Sequence, residues 1–77
     1  MAHWHPQARD FELADVVQME ILSLVGNRVE HWIHVAAWAI VVLAYKEHRS
    51  ANIAEYVQDL HSDGRLKIIL AETRYRG

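Results

Sequence analysis

The 77 residues include 52% hydrophobic and 23% charged side chains, with three glycines and one proline, a balance typical of one small folded domain with a thin core. The chain has no cysteine, which excludes disulfides, thiolate metal ligands and a cysteine nucleophile, and this fits the cytoplasmic location that we predict. The net charge is −2; four basic residues against Glu72 give residues 64–77 a charge of +3, which leaves −5 for residues 1–63. The C-terminal end therefore has a weak preference for an acidic or anionic partner.

The first predicted element is an amphipathic helix over residues 11–25. Asp10 is the first good N-cap, since Pro6 disfavours helix at the residue before it, and residues 1–9 are predicted to be irregular. Apolar side chains then recur at three- and four-residue spacing: Leu13, Ala14, Val17, Ile21, Leu24 and Val25. Gly26 suits the left-handed position that ends a helix, so the helix is predicted to stop there.

A long central helix is predicted over residues 28–48. Asn27 and Glu30 have the spacing of a capping box, which satisfies free backbone N–H groups at the start of a helix. Every residue from Val35 to Tyr45 is apolar or aromatic, so the helix lacks a polar stripe and must be buried on nearly all sides. Two short neighbouring helices can cover about half of its circumference. A second copy, another protein or lipid should cover the rest.

The apolar run of this helix is short for a membrane span. A span needs about 20 apolar residues, whereas this run is nearer to the roughly 10–14 that are typical of buried core helices. His34 interrupts the run, and charged or polar residues flank it on both sides: Glu30, His31, Lys46 and Glu47. A membrane partner is therefore not favoured.

Two further elements are predicted after the central helix. One face of a short third helix, which ends at the turn 62–64, carries Ile53, Tyr56, Val57 and Leu60. Residues 65–75 are ambiguous, because Leu66, Ile69 and Leu70 fit a helix, whereas alternation from Leu66 to Leu70 fits a strand that would need a partner. We favour the helix. The predicted fold class is an all-α small domain of three or four helices with a long buried central helix, in one domain over residues 10–77.

One side of the central helix carries a strip of polar and aromatic side chains. At about 100° per residue, a single arc roughly 100° wide holds His31, His34, Trp38, Val41, Tyr45 and His48. The opposite, aliphatic side should face the core of the domain. We therefore predict a non-enzymatic protein–protein interaction or assembly module, either a homo-oligomer or a small subunit or inhibitor of a larger complex. The predicted interface residues are Trp32, His34, Trp38, Val41, Tyr45 and His48.

The histidines of this helix also allow a metal-binding interpretation. The candidate ligands for zinc or another divalent ion are His31, His34 and His48, since imidazoles one helical turn apart can share a metal. The i, i+3 spacing of the first two is weaker than the i, i+4 spacing of zinc-binding helices, and the sequence offers no convincing third and fourth ligand. No cofactor is therefore predicted.

A nucleic-acid-associated regulator is the other alternative. The third helix, the turn at 62–64 and the last segment have the order of a helix-turn-helix, with the last segment as the reading helix. The residues available to nucleic acid or another anion are Arg65, Lys67, Arg74 and Arg76. The acidity of residues 1–63 argues against this partner, because nucleic-acid-binding proteins usually share a broad positive surface. The sequence has no glycine-rich phosphate loop and no evident carboxylate pair, so no catalytic residue is predicted.

Overall fold

A computed structural model describes residues 5–26 and 32–76 of the chain, with side chains as far as residue 74. These residues form helices and turns and no strand, which confirms the predicted all-α fold class and the helical last segment. In chain order the elements are α1 (Ala8–Val25), α2 (Ile33–Lys46), a 3₁₀ turn (Ser50–Asn52), α3 (Ile53–Ser62) and α4 (Arg65–Arg76). No helix in the described ranges is both long and apolar enough to cross a membrane.

The first helix begins earlier than the sequence predicts. α1 starts at Ala8, two residues inside the segment predicted to be irregular, and Gln7 is its N-cap. Asp10, the N-cap that the sequence predicts, lies one turn further along and accepts a hydrogen bond from the Gln7 backbone N–H at 2.7 Å. An acidic side chain in this position of the first turn satisfies a free backbone donor, so the same residue can stabilise an earlier start.

The same carboxylate joins the start of α1 to the end of α2. Asp10 is only 5% exposed, and its second oxygen accepts a hydrogen bond from the hydroxyl of Tyr45. The Tyr45 hydroxyl, and after it the Gln7 N–H, hold the pKa of Asp10 below its usual value against the opposing effect of burial. In turn, the hydrogen bond to the carboxylate raises the pKa of Tyr45. Two residues that are 35 positions apart are thereby held together.

The core lies between α2 and the other three helices. Buried side chains of α2 recur at three- and four-residue spacing: Ile33, Ala36, Ala37, Ile40, Val41 and Ala44. α1 packs against α2 and α3, and α4 packs against α3 and α2. These helices bury Ala14, Val17 and Ile21 of α1, Ile53, Tyr56, Val57 and Leu60 of α3, and Leu66 and Leu70 of α4. Half of the buried α2 residues are alanines, which lets the neighbouring helices approach α2 closely.

The ends of α2 differ from the predicted bounds of 28–48. The described part of the helix begins at Ile33, and the predicted capping box at residues 27–30 lies outside the described residues. At the other end the helix stops at Lys46. The N–H of Arg49 donates to the Ala44 carbonyl at 2.7 Å and that of His48 to the Tyr45 carbonyl at 3.3 Å, the bonding pattern of a Schellman motif. His48 takes its left-handed position, with φ of 58°.

Arg49 fixes the corner between α2 and α3. Its guanidinium donates to Asp59 at 2.8 Å and to Asn52 at 3.2 Å. The same group lies 5.0 Å from the centre of the Tyr56 ring, whose side chain is buried in the core. One side chain thus connects the turn after α2 to both the surface and the buried side of α3.

The contact between Tyr45 and Asp10 gives a testable pH dependence. Because the pKa of Asp10 is lowered in the fold from an ordinary value near 4, the stabilisation is complete above about pH 5 and is lost as pH falls through the lowered pKa. We expect Tyr45→Phe to lower the free energy of unfolding at pH 7 and to flatten its decline below about pH 5. Urea denaturation at a series of pH values measures both effects.

The matched control is the same substitution in an Asp10→Asn background. There the carboxylate no longer titrates, so Tyr45→Phe should leave the acid side of the stability profile unchanged. A Tyr45→Phe variant with the pH profile of the wild-type chain would contradict the contact.

The backbone of His48 gives a second prediction. A residue with a β-carbon in the left-handed region costs about 1 kcal/mol relative to glycine. His48→Gly should therefore raise the free energy of unfolding by about 1 kcal/mol. As a control, Ala71→Gly at an exposed position within α4 should lower it by about 1 kcal/mol. Chemical denaturation of the three proteins tests this, and a destabilised His48→Gly variant would contradict it.

Candidate protein-binding groove

The predicted polar and aromatic strip lies mainly against α1. Trp38 is half-buried, and its ring meets the Phe11 ring edge to face, with the centroids 5.1 Å apart. Tyr45 is also half-buried and donates to Asp10. Val41 has no exposed surface and is part of the core in this arrangement. One side of the strip overlaps the core-facing side of α2, and α1 packs against this part of the helix.

The other three predicted interface residues lie towards the two ends of α2. Trp32 is 9% exposed, and the Arg74 guanidinium lies 5.6 Å from the centre of its ring. His34 is exposed in the first turn of α2, and His48 is exposed at the C-terminal turn. The six residues therefore do not form one continuous open surface.

The predicted metal ligands are not brought together among the described residues. His34 and His48 are fourteen positions apart, which is roughly 21 Å along a helix axis, too far for one ion to bridge. His31 lies outside the described residues. In the part of the chain that the structure describes, no group of three or more histidine, aspartate or glutamate side chains could hold a metal ion.

Two of the four candidate anion-binding residues already have partners within the chain. Arg65 forms an ion pair with Glu47 at 2.9 Å, and its guanidinium holds the pKa of that carboxyl below its usual range. Arg74 lies over the ring of Trp32. Lys67 is exposed, and the side chain of Arg76 lies outside the described residues. α4 therefore presents less free positive charge than its sequence suggests.

The open side of α2 lies opposite its core side, and three of the four residues that define it are apolar. Four residues at i, i+4, i+7 and i+11 define it: Val35, Ala39, Val42 and Lys46. Val35 and Ala39 are partly exposed, and Val42 is 40% exposed. A helix that meets only water on one side normally carries polar residues there. The apolar composition of this side is typical of a helix surface that is buried.

This side of α2 forms one wall of a groove whose other wall is α4. The groove has a volume of about 340 Å³ and is lined by Ala39, Val42, Leu43 and Lys46 of α2 and by Ile69, Glu72 and Thr73 of α4. Leu43 and Ile69 are partly buried against the core and provide an apolar floor. We refer to these seven residues as the α2–α4 groove.

Each wall of the α2–α4 groove carries one exposed charge. Lys46 lies on the α2 wall and Glu72 on the α4 wall. Neither makes an ion pair with another residue in the described parts of the chain. The groove therefore has an apolar interior and, at its rim, one positive and one negative side chain that are available for ion pairs with a partner.

This groove is not predicted from the sequence, although the sequence contains part of the pattern that indicates it. The unbroken apolar run in the central helix predicted that some side would remain uncovered. Because the run has no polar stripe, its periodicity does not mark the outer side. The alanines at positions 36, 37 and 44 give the stronger clue, since small residues lie where neighbouring helices pack most closely. The open side is the one opposite to them.

Comparisons with known proteins assign no role to these residues. The chain matches no protein-family model, no curated protein and no solved structure. The α2–α4 groove is therefore interpreted from its own burial, shape and charge.

Proposed function

We propose that this chain is a non-enzymatic protein–protein assembly module that binds its partner through the α2–α4 groove. The observation that carries the proposal is the apolar open side of α2. Every residue of α2 other than His34 and Lys46 is apolar or aromatic, and Val42 remains 40% exposed after α1, α3 and α4 have packed. The proposed interface differs from the one that the sequence suggests: it lies on the side of α2 opposite the core, next to the strip that faces α1.

The physical reason for association is the hydrophobic effect. Removing apolar surface from water gains about 25 cal/mol per Å², and the groove concentrates such surface on two adjacent helices. Grooves of this type commonly receive the apolar face of a helix. Lys46 and Glu72 at the rim would orient the partner more than they would add affinity.

A protein is favoured over nucleic acid as the partner. Arg65 is paired with Glu47 and Arg74 lies over Trp32, so the basic character of α4 is partly satisfied within the chain. Nucleic-acid affinity depends on several cations that are free to neutralise phosphates. The cysteine-free composition is compatible with a function in the cytoplasm.

Site-specific photo-crosslinking tests the proposed function. A benzophenone amino acid at position 42 should give a crosslinked protein adduct in cells that produce the chain. The matched control is position 16, because Val16 on α1 is also a valine that is 40% exposed. The partner identified from the adduct should then bind the purified wild-type chain and bind Val42→Glu at least tenfold more weakly, as expected for a charge placed in an apolar interface.

Equal adduct yields from positions 42 and 16, or no adduct from position 42, would contradict the proposed function. Circular dichroism of Val42→Glu verifies that the helical fold is retained. The exposure of Val42 and the good helix propensity of glutamate favour retention.

A further inference from the structure

We infer that the occupant of the α2–α4 groove is a second copy of this chain, bound across a two-fold axis. The inference rests on the proposed function and adds the identity of the partner. Three observations support it: the charges of the rim, the lack of opposite charges in another groove among the described residues, and the low net charge of the chain.

The rim of the groove is complementary to itself. In a two-fold interface, if residue i of one copy meets residue j of the other, then j also meets i. Lys46 and Glu72 lie on opposite walls of the groove, so a two-fold axis that crosses the line between them at its midpoint and at a right angle would place each Lys46 opposite the second copy's Glu72. Two equivalent ion pairs would form, and the apolar interior would close on an identical apolar interior.

Another groove among the described residues lacks this property. It has a volume of about 360 Å³ and is lined by Val25, His61, Gly64, Leu66, Lys67 and Leu70. Its lining includes a lysine but no acidic residue, so two copies meeting there would bring like charges together. Of these two grooves, the α2–α4 groove is the one that fits a copy of itself.

The size of the face predicts a weak dimer. Two adjacent helices about 20 Å long and together about 20 Å wide present roughly 400 Å² in flat projection, or about 800 Å² for two copies. Side-chain relief makes the accessible area larger than this projection. The interface is therefore near the lower end of specific interfaces, for which micromolar dissociation constants are common. A net charge of −2 per copy adds little repulsion.

Sedimentation equilibrium of the untagged chain from about 1 μM to 1 mM tests the dimer. The mass should rise with concentration from 8.9 kDa towards twice that value. Val42→Glu should weaken dimerisation at least tenfold, whereas Val16→Glu, at an equally exposed valine on α1, should leave it unchanged.

Charge reversal in trans tests the arrangement across the two-fold axis. Lys46→Glu and Glu72→Lys should each weaken self-association by about tenfold, because each replaces two attractive pairs by two repulsive ones. When the two variants are mixed, one copy carries two acids and the other two lysines, so both pairs are restored. Native mass spectrometry should then show the mixed dimer in preference to either homodimer. A pair made within one chain could not give this result.

Three outcomes would overturn the inference. These are a monomer throughout the concentration range, a dimer that Val42→Glu does not weaken, and a mixture of the charge variants with no preference for the mixed dimer. A monomer in isolation that crosslinks to a different protein through position 42 would overturn the second copy as occupant and leave the proposed function intact. Failure of crosslinking at position 42 would remove the proposed function itself.

Discussion

The structure depends on one constraint, which is that a helix without a polar stripe must be shielded from water by a chain of 77 residues. Every residue of α2 except His34 and Lys46 is apolar or aromatic, and α1, α3 and α4 are arranged around it. The alanines of α2 let those helices approach closely, so that a small domain buries most of this apolar helix. Three helices still cannot enclose a cylinder completely. The uncovered side is the physical origin of the α2–α4 groove.

Much of the helical architecture could be predicted from the sequence, because helices are specified by local spacing. Leu66 and Leu70 are buried in α4 as the helical interpretation requires, and Gly64, with φ of 84°, stands at the left-handed position that ends α3. The orientation of α2 could not be predicted in the same way. Its residues differ in size but hardly in polarity, so the angular pattern contains little information about which neighbour covers which side. Trp38 and Tyr45 are therefore predicted to be interface residues, although both are half-buried and contact Phe11 and Asp10 of α1.

The remaining differences come from side chains whose partners are distant in sequence. Asp10 has the properties of an N-cap, but its burial is explained by Tyr45, which is 35 positions away. His48 has the properties of a metal ligand or of a cation near a helix C-terminus, yet the backbone places it in the left-handed turn, where histidine is several-fold enriched over most residues. In both cases the local sequence indicates that the residue has a specific role. That role depends on the packing of α1 on α2 for Asp10 and on the geometry of the turn after α2 for His48.

The charges beside the groove bear on specificity as well as on attraction. An apolar groove alone would accept many apolar helices, and an exposed apolar surface invites non-specific aggregation. A lysine on one wall and a glutamate on the other restrict the orientations in which an apolar partner can approach without burying an unpaired charge. For a partner of unrelated sequence, complementary charges would have to arise independently. For a second copy they would be supplied by the same two residues, so Lys46 and Glu72 would specify the orientation of the proposed dimer without any further element in the chain.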